Sequence, residues 1–260
     1  MKHLYSIVLP CYNEAENIFP LIERFRPFSE FENFELILVN NGSTDNSSKI
    51  FSKALKDKKN FFLNVITIEK NIGYGNGIQS GLKKAKGNIL AYSHADIQTP
   101  PEDLFKALKM IKSGEVNLDT SLIKGFRINR SDEKSFLTSW LAKVVHFFMG
   151  VKMEDINGQP KVFSKKFFES FEKPPDDFSY DVFVIYWAFR KGLNIKTFDV
   201  DFGERIFGKS KWSSNIFLRY KTILGYLYSI SKLSWLNRND SYNPLGKLIR
   251  LFTIGSSKKF

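Results

Sequence analysis

Within its first 96 residues the chain repeats one pattern: a short apolar run, a polar turn, then a stretch with helical spacing. The runs are "LYSIVLP" (4–10), "FELILVN" (34–40), "FLNVITIEK" (62–70) and "NILAYSHAD" (88–96). Runs of this length, bounded by turn residues, read as buried strands. Between them, "NEAENIFPLIERF", an amphipathic stretch ending at Lys56 and "NIGYGNGIQSGLKKAKG" supply helices. The first carries acidic residues in its opening turn, where the helix dipole favours them. The alternation predicts an α/β fold, a parallel sheet with helices on both faces. Ligands of such sheets bind beyond the carboxyl ends of the strands. Tyr12-Asn13-Glu14, Asn40-Asn41 and His94-Ala95-Asp96 all fall there.

The last of these sits in "AYSHADIQTPPED" (91–103). In extended backbone, side chains two apart point the same way, so His94, Asp96 and Gln98 would converge. Asp96 offers a hard oxygen, Gln98 a carbonyl oxygen and His94 a nitrogen. That supply suits Mg²⁺ or Mn²⁺, completed by diphosphate and water. The same residues also read as an Asp-Pro-rich turn capping the helix at "PEDLFKAL". Zinc fits poorly, with three histidines and one cysteine in the chain. Two glycine-rich segments imitate phosphate motifs. "GERIFGKS" (203–210) matches G-x-x-x-x-G-K-[ST], but the fifty residues after it are aromatic and basic, with no strand to hold Mg²⁺. "GYGNGIQSG" (73–81) misses the G-x-G-x-x-G spacing, so its glycines read as a tight turn and close helix packing.

The second half changes character. "SFLTSWLAKVVHFFMGV" (135–151) sets Leu137, Trp140, Leu141, Val144, Val145 and Phe148 on one helical stripe. "NIFLRYKTILGYLYSISKLSWL" (215–236) is apolar and aromatic, broken by Arg219, Lys221 and Lys232. Neither reaches the ~18 uncharged apolar residues that a bilayer span needs. They read as helices lying in a membrane interface, or as faces that pack on the sheet or on a second copy of the chain. The formal net charge of +12 calls for acidic partners. No recognition motif interleaves the basic and aromatic residues, so nucleic acid is not expected. Cys11, the single cysteine, excludes an internal disulfide and suits a reducing compartment. No signal-peptide pattern is visible in "MKHLYSIVLPCYNE". The expected place is the cytoplasm, peripherally on the inner face of the plasma membrane.

Taken together, "SIVLPCYNEAENI", "ILVNNGSTDNS", "NIGYGNGIQSGLKKAKGN" and "HADIQTPPEDL" resemble the family 2 glycosyltransferases with a GT-A fold, nearest the polyprenol-phosphate type to which dolichol-phosphate mannose synthases belong. The resemblance continues through "GFR" (125–127), "DINGQPKVFS" (155–164) and "ERIFGKSKW" (204–212). It implies that Pro10, Tyr12 and Glu14 line the nucleobase and ribose, with Asn40, Asn41, Gly73 and His94 also in the nucleotide-sugar site. Asp96 matches the last acid of the Asp-x-Asp metal motif and Gln98 the glutamine after it, giving a Mg²⁺ or Mn²⁺ site. Arg127 matches a basic residue near the diphosphate. Asp155 and Lys161 fall in an acceptor-side motif, and Arg205, Lys209, Ser210 and Lys211 in a basic loop over the phosphates.

Three departures stand out. His94 replaces the first acid of the metal motif. Lys161 replaces an arginine, keeping charge but losing the bidentate fork. Asn40 and Asn41 replace two aspartates; an amide suits uracil's N3–H and O4, whereas a carboxylate accepts from guanine's N1–H and N2–H₂. The expectation is therefore a metal-dependent inverting transferase using a UDP-sugar in preference to a GDP-sugar. Its expected acceptor is a polyprenyl phosphate, with Asp96, Arg127, Asp155 and Lys161 as the catalytic set. The alternatives are a hydroxyl acceptor on a surface polysaccharide or lipid-linked glycan, with Asp155 as base and Asp181 behind it, or a non-catalytic nucleotide-sugar-binding module. Residues 1–212 are expected to form the catalytic domain, and 213–260 a basic helical segment contacting membrane or another copy of the chain.

Overall fold

A computed structural model describes residues 5–30, 32–129, 132–201, 203, 216–239, 243, 244 and 247, with side chains at all of these except 132–138, 141 and 216–222. Among the described residues one sheet takes in seven strands: β1 (Tyr5–Cys11), β2 (Phe34–Asn41), β3 (Leu63–Ile68), β4 (Ile89–Tyr92), β5 (Ser121–Ile128), β6 (Lys161–Ser164) and β7 (Asn194–Asp201). Their order is β3-β2-β1-β4-β6-β5-β7. The parallel half is as the alternation predicts, whereas β6 runs antiparallel to both β4 and β5. The chain winds outward from β1 to β3, then returns to β4 on the other side of β1. That reversal opens a crevice at the carboxyl ends of β1 and β4, the standard place for a ligand.

The helices are α1 (Ala15–Phe25), α2 (Ser47–Lys56), α3 (Tyr74–Lys84), α4 (Pro101–Lys112), α5 (Asp132–Met149), α6 (Lys165–Glu169), α7 (Tyr180–Arg190) and α8 (Ile216–Leu236). Period-two alternation divides the sheet between two cores. Ile7 and Leu9 of β1 meet Ile18, Ile22 and Phe25 of α1 on one face. Val8 meets Ile78 and Leu82 of α3 on the other, in a layer shared with α7 and with Val145, Met149, Ile230 and Leu233 of α5 and α8. Gly81 permits the close approach of α3: a Cβ there would sit 2.3 Å from Val8 Cγ1. Gly73, at φ +150°, makes the turn into the same helix. Close packing and a tight turn thus account for both ends of the glycine segment. Among the described residues no helix is long and apolar enough to cross a membrane.

One expectation needs correction. The fourth strand does not run to Asp96; it ends at Tyr92, and Ile97 takes a left-handed φ of 62°. His94, Asp96 and Gln98 therefore do not share a side by strand alternation. A β-branched residue at positive φ costs about 1–3 kcal/mol and persists where its surroundings impose it. Here the residues it separates are Asp96 and Gln98.

Candidate active site

The crevice is built first from two latched loops. Asn13, at φ 58°, accepts from Thr44 N (2.8 Å) through Oδ1 and donates its own N–H to Ser43 Oγ (3.1 Å). Asp45 Oδ2 accepts the first N–H of α1, from Ala15 (3.2 Å). The loops after β1 and β2 are thereby held together, with Tyr12 exposed beside them and the Glu14 carboxylate accepting from Asn17 Nδ2. The two asparagines then part ways. Asn40 uses its amide internally, accepting from Ser43 N (3.2 Å) and donating to Ser48 Oγ (2.9 Å). Asn41 donates to the Gly73 carbonyl (3.0 Å), while its buried Oδ1 has no hydrogen-bond partner among the described residues. A Cβ at Gly77 would lie 2.9 Å from Asn41 Nδ2 and 3.2 Å from Pro10 Cβ, so Pro10, Asn41 and Gly77 form one wall. A buried acceptor left open at such a wall suits a ligand N–H.

Beyond β4, Asp96 is only 6% exposed and accepts from Gln98 N through Oδ1 (3.3 Å). The Gln98 side chain donates to the Gly203 carbonyl (3.0 Å), and Gly203 N–H returns a bond to the Gln98 carbonyl (3.1 Å). His94 is half-buried, 5.9 Å from the Tyr74 ring, which stacks on Phe178 at 5.4 Å. Burial pushes the His94 pKa down against the pull of Asp96, so its imidazole is neutral near pH 7. Among the described residues no group of three or more His, Cys, Asp or Glu could hold a metal. One carboxylate flanked by an amide and a neutral imidazole fits a Mg²⁺ or Mn²⁺ that takes most of its ligands from diphosphate and water.

The other half of the crevice is ionic and buried. Asp155, at φ 38°, is clamped by Arg127: the backbone N–H reaches Oδ2 (2.8 Å), Nε reaches Oδ1 and Oδ2 (3.0 and 3.1 Å), and Nη2 reaches Oδ1 (2.5 Å). Burial would raise the Asp155 pKa, but the hydrogen bonds and charge of Arg127 outweigh it and hold the carboxylate below its ordinary range. Behind this pair lies Lys161, wholly buried, with Nζ 2.5 Å from Asp181 Oδ1. Tyr92 OH (2.8 Å) and Gln159 Nε2 (3.0 Å) donate to the same oxygen. Burial lowers the Lys161 pKa, and Asp181 opposes the shift. Lys124, also buried, donates to the Gly125 carbonyl (3.0 Å), and burial together with the charge of Lys161 pulls its pKa down to about 8.

Two of the expected catalytic residues sit in buried ion pairs. Lys161 is wholly buried against Asp181. Asp155 is an ionised partner of Arg127, poorly suited to take a proton. Arg205, Lys209, Ser210 and Lys211, with most of the "GERIFGKS" segment, lie outside the described residues. Sequence reasoning passed over Lys124 and Gln159, although a lysine inside the strand-like "SLIKGFR" is an exposed signal of a buried charge. It also missed a cavity of about 520 Å³ between β5, α5 and the segment before Asp155. Arg127, Lys143, His146 and Lys152 line it beside the apolar Phe126 and Met153.

The mixed α/β sheet with its crevice at this switch point is of the GT-A kind. Solved structures agree: glucosyl-3-phosphoglycerate synthase from Mycobacterium tuberculosis, in complex with Mn²⁺, UDP and glucosyl-3-phosphoglycerate, matches with a TM-score of 0.63 at 20% identity, over 90% of this chain and 79% of that one. The same enzyme with Mn²⁺, UDP-glucose and phosphoglyceric acid matches with a TM-score of 0.65 at 18% identity, over 88% and 80%. The profile of glycosyl transferase family 2 matches residues 6–168, and the chain belongs to that family. Among curated relatives, the undecaprenyl-phosphate 4-deoxy-4-formamido-L-arabinose transferase of Photorhabdus laumondii is 28% identical over 80% of this chain and 62% of its own length. The dolichol-phosphate mannosyltransferase of Pyrococcus furiosus is 29% identical over 88% and 63%. The chain thus spans less than two thirds of these relatives.

Proposed function

We propose that the chain transfers a sugar, with inversion, from a nucleotide sugar to a polyprenyl phosphate at the cytoplasmic face of a membrane. The observation that carries the choice of acceptor is the state of its buried carboxylates. A hydroxyl acceptor needs a base, whereas a phosphate oxygen is already anionic and needs none. Asp155 is held ionised by Arg127, and Asp181 is taken up by Lys161, Tyr92 and Gln159. Both are structural anchors, which suits the phosphate. The curated relatives named above carry polyprenyl phosphates in their names, in line with this reading.

On the donor side, Asn41 Oδ1 is one open acceptor and the amide of Asn40 is occupied. A single acceptor matches the one N–H on uracil's pairing edge better than the two sets that guanine presents. UDP-sugars are therefore preferred over GDP-sugars, with Pro10, Tyr12 and Glu14 around the base and ribose. Mg²⁺ or Mn²⁺ at Asp96, beside His94 and Gln98, would neutralise charge growing on the departing nucleoside diphosphate. Arg127, fixed by Asp155, presents its guanidinium to the cavity wall where an acceptor phosphate would lie.

The test is nucleotide release from UDP-glucose, UDP-GlcNAc and GDP-mannose, with Mn²⁺ and undecaprenyl phosphate in detergent. Lipid-stimulated release of UDP is expected. Stimulated release from GDP-mannose alone would overturn the base preference, and no stimulated release from any donor would overturn the acceptor assignment.

A further inference from the structure

We infer that the outward faces of α5 and α8 dock the chain on an anionic lipid bilayer, bringing the cavity beside Arg127 to the headgroup layer. The two helices pack on each other through Val145, Met149, Ile230 and Leu233, tied by a bond from Ser234 Oγ to the Phe148 carbonyl (2.6 Å). Away from that seam they expose large apolar groups. Leu224, Tyr228 and Trp235 are 64%, 70% and 52% exposed at spacings that fall on one helical stripe. Trp140 and Phe147, seven apart on α5, are 38% and 74% exposed.

The charged side chains described among them are cationic. Lys143 and Lys232 are exposed, and the Arg238 guanidinium lies 4.7 Å from the Trp235 ring. The 21 residues of α8 include no acid. Glu154, at the cavity edge, faces Lys152 at 3.6 Å. Trp, Tyr, Lys and Arg around aliphatic groups match the chemistry of an anionic membrane interface, whereas the core of a protein interface is depleted in lysine. The face is also continuous with the cavity, since Lys143 belongs to both. This continuity rests on the lipid-acceptor reading above.

A second basic surface lies at the opposite, amino-terminal edge of the parallel strands. Lys53, Lys56, Lys59, Lys83, Lys84 and Lys86 are exposed there, with Phe61 as their exposed aromatic neighbour. Docking on that edge would turn the crevice away from the bilayer, and it offers charge without an aromatic stripe.

The test is co-sedimentation with phosphatidylcholine vesicles with and without phosphatidylglycerol, in the absence of donor and metal. The wild type is expected to bind the anionic vesicles. A Phe147→Glu/Trp235→Glu double variant should bind at least about tenfold more weakly. A Lys83→Gln/Lys84→Gln double variant makes the same change in net charge at the far edge and should change binding less than about twofold. Both must keep the wild-type melting temperature. Both should also retain transfer to a short-chain acceptor in detergent, which separates loss of docking from failure of the transfer reading. No binding to anionic vesicles, equal loss in the two variants, or greater loss in the lysine variant would overturn the proposal. So would a stable dimer that the Phe147/Trp235 variant breaks while vesicle binding persists, because the face would then belong to a second copy.

Discussion

The two halves of the crevice are built from different materials. On the donor half as proposed, around β1 and β2, short polar side chains and latched loops do the work: Asn13 and Asn40 bond to the loop at Ser43 and Thr44, Asp45 to Ala15 and Ser47, and Asn41 to Gly73. On the acceptor half, around β5 and β6, buried ion pairs do it: Arg127 with Asp155, and Lys161 with Asp181. On the first half Asn41 Oδ1 is left open at the wall, while on the second Arg127 and Asp155 line the cavity with Lys161 and Asp181 buried behind them.

The largest expected effect lies in that network. Removing one partner of a buried pair leaves an uncompensated charge, so Lys161→Ala should lower unfolding free energy by about 3–5 kcal/mol in urea denaturation. Replacing both partners by apolar residues, Lys161→Met with Asp181→Leu, should recover much of that loss. If Lys161→Ala left stability intact and abolished transfer, Lys161 would be touching substrate and the contrast between the halves would fail. Next comes Asp96→Ala, expected to cut transfer by about 10²–10³ at saturating donor. Its cost in unfolding free energy should be smaller than that of Lys161→Ala.

Lys124 sharpens the comparison through pH. Its folded pKa is about 8 against an ordinary 10.5, so in that window its contribution to stability rises with pH. From pH 8 to 10.5 the stability of the wild type relative to Lys124→Met should climb, the comparison cancelling the opposite pull of the buried Cys11 and tyrosines, whose raised pKa values make stability fall as pH rises. The smallest effect is on the donor half. Asn41→Asp adds an acceptor for guanine and should move the GDP-to-UDP preference by up to about tenfold, read as kcat/KM for paired donors. A change in stability without a change in preference would mean that the amide serves only its bond to Gly73.

The half around β1 and β2 was more legible in sequence because strand ends and the turns after them are neighbours along the chain. Tyr12, Glu14, Asn40 and Asn41 all follow from where an apolar run stops. What sequence could not show is that Asn40 is spent on Ser43 and Ser48, since a turn's internal bonds depend on its geometry. The backbone flip at Ile97 escaped for the same reason. On the acceptor half, residues 92, 124, 127, 155, 159, 161 and 181 meet only after β6 inserts antiparallel between β4 and β5, and no local periodicity encodes that pairing. Charged residues at core positions of β5 and β6 were the available sign.

The most direct measurement is the chemical identity of the two products formed from a UDP-sugar and undecaprenyl phosphate in the presence of Mn²⁺. UDP, together with a lipid carrying the sugar on its single phosphate, is the result this account predicts. Release of UMP, or a sugar linked only to a hydroxyl, would contradict it.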